Sequence, residues 1–168
     1  MEEEIINKVS QSALLTLDLE KYFPEEKIVM FDLKSFLFME LILKEKDFRA
    51  ALQTTDWNQY RDQIVGVYCS ADAIIPIWAY MLVASYLQPV ARDVVYGDEQ
   101  TVLRQILLKK INAIDPSEYK DKRVVVKGCG EKPIGEYAYL EITRLLRPVV
   151  RSIMYGEPCS TVPVFKSK

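Results

Sequence analysis

Histidine is absent from this chain. Without it the commonest general base and nucleophile activator is missing, so Ser-His-Asp and Cys-His catalysis are excluded. Any transition metal would have to rely on thiolates and carboxylates. Cysteine is scarce: Cys69, Cys129 and Cys159 are an odd number that cannot all pair within one chain. In a reducing compartment they are expected as free thiols or ligands. No apolar segment reaches the roughly 20 residues that a membrane span needs. Basic residues are not in excess either, and a net charge of −2 with a pI near 5.4 offers no stripe of the kind duplex nucleic acid requires. Neither nucleic acid nor membrane is expected as a partner. The N-terminal MEEEIINK is acidic where a secretory signal would be basic, so the expected location is the cytoplasm.

What is present is ordinary in bulk. The 168 residues suffice for a single domain with a real core, since about 150 residues can bury roughly 70% of the unfolded surface. A content of 49% hydrophobic and 27% charged residues is that of a soluble globular protein.

The most informative feature is an internal repeat. Residues 60–98 lie over residues 119–157 without a gap, with 13 of 39 positions identical, among them Tyr60/Tyr119, Asp62/Asp121, Ala79/Ala138, Tyr80/Tyr139, Pro89/Pro148, Arg92/Arg151, Tyr96/Tyr155 and Gly97/Gly156. Each copy reads as strand, polar loop, helix, strand. Ile64–Cys69 and Arg123–Lys127 are short β-branched runs, and Ile75–Gln88 and Ile134–Arg147 have helix length. Pro89 and Pro148 stop the helices, and Asp93–Tyr96 and Ser152–Tyr155 form second strands closed by Gly97 and Gly156. The expected fold is α/β, with duplicated βαβ units in one domain, sharing one sheet or packing about a pseudo-twofold. Glu99–Ile114 supplies a connecting helix, and Glu45–Leu52 is its counterpart before the first copy. Repeat one thus spans 45–98 and repeat two 99–168. Residues 1–44 form an N-terminal extension, with strands at Leu14–Leu19 and Lys27–Leu33 around the breaker FPEE and an ambiguous apolar run at Ser35–Leu43.

The two repeat helices differ. IGEYAYLEITRLLR carries Glu136, Glu141, Arg144 and Arg147 on a wet face, whereas IIPIWAYMLVASYL is apolar nearly all round. The latter must be covered, either by residues 1–44 or by a second subunit.

Chemistry is expected beyond the carboxyl ends of the strands, where open α/β sheets bind ligands. Cys69, Ser70 and Asp72 follow the first strand of copy one, and Gly128, Cys129, Gly130 and Glu131 follow its match. Asp98 and Glu99 follow Gly97, while Glu157 and Cys159 follow Gly156. One reading is a zinc or iron site drawn from Cys69, Cys129, Cys159, Asp72 and Glu157. Against it stand the lack of any CxxC pair and a register difference, since Cys69 aligns with Gly128 and Cys129 with Ser70. Cys69 also suits a buried small hydrophobe. Cys129, in GCG before a helix, is placed for a lowered thiol pKa and is the candidate reactive thiolate. The same loop with Lys127 and Lys132 could cradle an anion, though it lacks the phosphate-loop fingerprints. Arg144, Arg147 and Arg151 read either as a basic cluster or as a solvated helix end.

The strings YCSADAIIPIWAYM, KGCGEKPIGEYAYLEITRLLRPVVRSIMYGEPCSTVPVFK and LILKEKDFRAAL resemble an uncharacterised family of small bacterial proteins classed as a domain of unknown function. The likeness covers nearly the whole chain. The resemblance transfers no activity, but it implies an association with gene clusters for iron-sulfur assembly, with which the motifs CSAD, KGCG and GEPCSTVP are compatible. Two classes of function follow. One is a non-enzymatic accessory or interaction protein, working with a protein partner or as a homodimer and binding metal or an iron-sulfur intermediate through the strand-end cysteines. The other is a thiol- or metal-dependent enzyme using Cys129.

Overall fold

The structure, a computed structural model, describes residues 14–128 and 130–168. The readings made on MEEEIINK and on Cys129 therefore lie outside the described residues. The fold class is α/β, as expected. The chain divides into two compact units, one of Pro24–Ile106, here the central unit, and one of the segment up to Phe23 with Leu107–Lys168, the terminal unit.

In the central unit a parallel sheet runs in the order β2 (Ile28–Asp32), β3 (Ile64–Tyr68), β4 (Asp93–Tyr96). Helices α1 (Glu45–Thr54) and α2 (Ile77–Leu87) and the first part of α3 (Glu99–Asn112) belong to it. Ile64, Gly66 and Val67 are buried on the middle strand, consistent with a parallel sheet covered on both faces. One side packs Phe31, Phe48, Leu52, Val65, Val67, Ala79, Val83 and Leu87, and the other packs Ile64, Val95, Val102 and Ile106. Gly66 stands where a Cβ would come within 2.6 Å of Met30 and 2.7 Å of Val102, so α3 sits closely on this strand.

The terminal unit has the order β1 (Leu14–Leu17), β5 (Arg123–Lys127), β6 (Ser152–Glu157), β7 (Ser160–Lys166), the first three parallel and β7 antiparallel on the edge. The rest of α3 and α4 (Glu136–Leu146) complete a core of Leu17, Leu107, Ile111, Val124, Val126, Ile142, Leu146 and Ile153.

Elements recur 59 residues apart, as in Ile64 and Arg123 opening β3 and β5 or Ile77 and Glu136 opening α2 and α4. The local bonds recur with them. Asp56 and Asp115 cap short 3-10 turns by accepting from Asn58 N–H at 3.0 Å and Ser117 N–H at 2.9 Å. Asp62 and Asp121 both take positive φ (58° and 59°), a conformation that aspartate tolerates. Their N–H groups donate to Val90 O at 3.0 Å and Val149 O at 2.9 Å. Gly97 and Gly156, at φ 137° and 124°, occupy positions that a side chain would strain.

Several expectations are corrected. The βαβ segments do not share a sheet; each lies in its own. Residues 14–32 supply the first strand of each sheet. The predicted first two strands end early because Asp18 and Asp32 accept N–H bonds from Glu20 (3.0 Å) and Lys34 (2.9 Å), turning the chain into 3-10 helix. Ser35–Leu43 is neither helix nor strand: a 3-10 turn to Phe36 is followed by a tight reversal closed by Phe38 and Ile42, with Met39 and Glu40 at positive φ. β7 was not anticipated, since Pro163 within a run argues against a strand; on an edge it is tolerated. Within the N-terminal extension Phe31 and Leu33 share a core with Ala79, Val83 and Leu87 of α2, so its inner face is covered as expected, but Ile77 and Met81 on its outer face remain 76% and 68% exposed. Among the described residues no helix is long and apolar enough to cross a membrane.

Candidate functional site

Each sheet delivers an aspartate at the carboxyl end of its first strand. In the central unit Asp32 accepts from Lys34 N–H and Ser70 N–H through one oxygen (2.9 and 3.0 Å) and from the Ser70 hydroxyl through the other (2.5 Å). Burial pushes its pKa up, but the Ser70 hydroxyl and the two N–H donors outweigh that and leave it below the usual carboxylate value. Cys69, next to Ser70, is half-buried against the core and its thiol lies 3.7 Å from Ala71 O. Tyr80 meets Tyr96 edge-on at 5.5 Å, and burial, then Tyr96 and Cys69, raise its phenol pKa. Asp72 is exposed. Asp98 caps α3 by accepting from Thr101 N–H at 2.9 Å, which accounts for its position without a ligand.

In the terminal unit Asp18 accepts from Lys127 Nζ at 3.2 Å as well as from Glu20 N–H. This bond raises the Lys127 pKa, with Glu20 and Glu157 adding to it. Glu20 in turn accepts from Lys132 N–H at 2.8 Å, and a Cβ on Gly130 would collide with its carboxylate. The loop after β5 thus holds an internal carboxylate where the sequence suggested an external anion, and Lys127 is committed to Asp18. Tyr155 donates to Gly128 O at 2.9 Å and Tyr139 to Lys127 O at 3.3 Å, and the two rings repeat the edge-on pair at 5.7 Å. Glu157 ends β6, and Cys159 is an exposed free thiol in the two-residue turn before β7.

The proposed ligand set is therefore distributed: Cys69 and Asp72 belong to the central unit, Glu157 and Cys159 to the terminal one. Among the described residues no group of three or more Cys, Asp or Glu is placed to hold a metal ion. The arginines do not cluster. Arg144 pairs with Glu141 at 2.6 Å, Arg147 lies over the Phe165 ring at 4.6 Å, and Arg151 lines a cavity to which Phe165 also contributes. Trp78 packs edge-on against Phe48 at 6.0 Å, as part of the core packing.

The Asp18 and Asp32 anchors were missed, although the paired strings LDLE and FDLK after two predicted strands carry the signal. The outer face of α2 is the other unassigned feature. Ile74 is 93% exposed ahead of Ile77 and Met81, and Phe38, Met39, Leu41 and Ile42 are exposed in the same unit. At the matching positions the terminal unit has Pro133, Glu136 and Leu140, with Arg144 and Arg147 following.

A family model described as "Protein of unknown function (DUF2480)" matches residues 3–167. No curated protein and no solved structure matches the chain.

Proposed function

We propose that this chain, which belongs to the family of proteins of unknown function DUF2480, is a non-enzymatic accessory protein that acts through protein contact. The observation that carries this reading is the open apolar face of α2, with Ile74, Ile77 and Met81 exposed. A helix that is apolar nearly all round is expected to be covered, and surfaces of this kind mark interaction sites. The Phe38–Ile42 turn is linked to the same helix through the rings of Phe36, Phe48 and Trp78, at 5.5 and 6.0 Å.

The occupant is a second copy of the chain. An isologous contact uses the same patch twice. Ile74, Ile77 and Met81, with the exposed side chains of the Phe38–Ile42 turn, supply apolar area toward the roughly 800 Å² that each partner gives to a standard interface. Sedimentation velocity tests this. The wild type is expected to shift from monomer to dimer with rising concentration, and Ile77→Glu with Met81→Glu to stay monomeric with an unchanged circular dichroism spectrum. A wild type that stays monomeric up to about 100 μM, an affinity weaker than such a contact should give, overturns the reading.

A metal or iron-sulfur role is a second reading, favoured by two free thiols at or just beyond strand ends. The described donors do not fit a metal by themselves, so it depends on Cys129. Elemental analysis of anaerobically purified protein tests it: stoichiometric zinc or iron that is lost in Cys129→Ser supports it. Metal-free protein with one fast-alkylating thiol favours an enzyme using Cys129 as thiolate.

A further inference from the structure

Where β5 and β6 begin and β7 ends, the terminal unit has a cavity of about 710 Å³, at the end of the sheet opposite Cys159. Lys120, Lys122, Arg123, Arg151 and Lys166 line it, with Asp121 as the one carboxylate. Among the described residues none of these five cations is in an ion pair. The chain as a whole carries a net charge of −2, so this concentration of positive charge is local. The rest of the wall is apolar, from Met154, Pro163 and Phe165.

The fold does not require that charge, and the central unit provides the comparison. At the same sheet edge, Gln63 stands for Lys122, Ile64 for Arg123 and Asp93 for Ser152, while Arg92, the match of Arg151, is paired with Glu26 at 3.8 Å. The backbone frame is the same in both: Arg92 N–H donates to Gln63 O at 2.9 Å and Arg151 N–H to Lys122 O at 2.8 Å. One copy of the frame is neutralised and the other is left positive. β7, which has no counterpart in the central unit, adds Lys166 and the apolar wall.

Ser152 gives a second, independent observation. It lines the cavity, is 8% exposed, and its hydroxyl has no hydrogen-bond partner. Buried polar side-chain atoms in native folds are nearly always satisfied, and among the described residues this hydroxyl and Gln63 Oε1 are the exceptions, the hydroxyl being the one beside the five cations.

We infer that this cavity binds a small polyanion, a phosphate or diphosphate ester that also carries an apolar or planar group. Arg123 and Arg151 supply forked donors suited to phosphate oxygens, the three lysines supply charge, and Met154, Pro163 and Phe165 take the uncharged part. The volume lies within the range of small-molecule sites, about 300–1,000 Å³. A polynucleotide would need an extended basic stripe, which this acidic chain lacks. The inference is independent of self-association through α2.

Isothermal titration calorimetry of the full chain with inorganic pyrophosphate and with ADP tests it. Both should bind in about 50 mM salt and weaken in about 200 mM, ADP more tightly because it also uses the apolar wall. Lys122→Glu with Arg151→Glu should weaken both by about tenfold or more. Lys166→Glu, at the exposed end of an edge strand, should weaken them several-fold and serves if the double variant does not fold. Ser152→Ala should weaken binding without lowering Tm. Absence of heat at about 1 mM of either probe, or equal binding by wild type and Lys166→Glu, overturns the inference. So does single-stranded RNA that binds more tightly than ADP and displaces it.

Discussion

Asp32 shows how much of the central unit's strand edge rests on one side chain, since it accepts three hydrogen bonds, two of them from Ser70. Its lowered pKa means that its contribution to stability is present above the ordinary carboxylate value and is lost as pH falls below about 4. Ser70→Ala should therefore cost about 1 kcal/mol at neutral pH, with the difference shrinking in acid; urea denaturation across that range checks it. Tyr119 works in the opposite direction. Burial first, then the neighbouring Tyr22, push its phenol up to about 12. The associated stability is complete below pH 10 and is lost as pH rises from 10 through 12. In a tyrosinate absorbance titration Tyr119→Phe should lose the group that ionises near 12, and its alkaline unfolding should be less steep. Aspartates that cap 3-10 helices were legible only in outline. Asp56 and Asp115 could be aligned by the repeat, whereas Asp18 and Asp32 lie outside it, and the partners Ser70 of Asp32 and Lys127 of Asp18 are 38 and 109 residues away.

At the scale of elements, the strands and helices of the repeat were readable because their apolar runs and the prolines after them are local signals. The direction in which α2 faces was not. Its sequence is apolar nearly all round, so periodicity cannot say that Ala79, Val83 and Leu87 point inward while Ile77 and Met81 point out. In α4 the charged residues mark the wet face, and Ala138, Ile142 and Leu146 are buried as that pattern implies. β7 was illegible because Pro163 breaks the local strand pattern; only its place on the sheet edge makes the residue acceptable. Leu87→Ala and Leu146→Ala, equivalent and fully buried, should each cost about 2–5 kcal/mol in chemical denaturation. Met81→Ala should stay within about 0.5 kcal/mol of wild type. A large loss in Met81→Ala would mean that this face is already covered within the monomer.

Across the whole molecule, two units of like construction present different surfaces. The central unit keeps an apolar helix face and balances its sheet edge with Glu26 and Asp93. The terminal unit has a charged helix face and concentrates cations around the cavity beside β7. Apart from β7, these differences lie in side chains rather than elements, so sequence alignment could locate them only once burial was known. The division of Cys69 and Cys159 between the two units was likewise illegible, because strand-end position alone does not say which sheet a strand joins.

Contact through α2 is most directly read by methyl NMR of protein labelled at isoleucine and methionine, recorded from about 1 to 200 μM, a span that brackets micromolar association. Concentration-dependent shifts confined to Ile74, Ile77, Met81 and the Met39–Ile42 turn, and abolished by Ile77→Glu with Met81→Glu, are the predicted result. Spectra that do not change with concentration, or shifts that fall on other methyl groups, would contradict it.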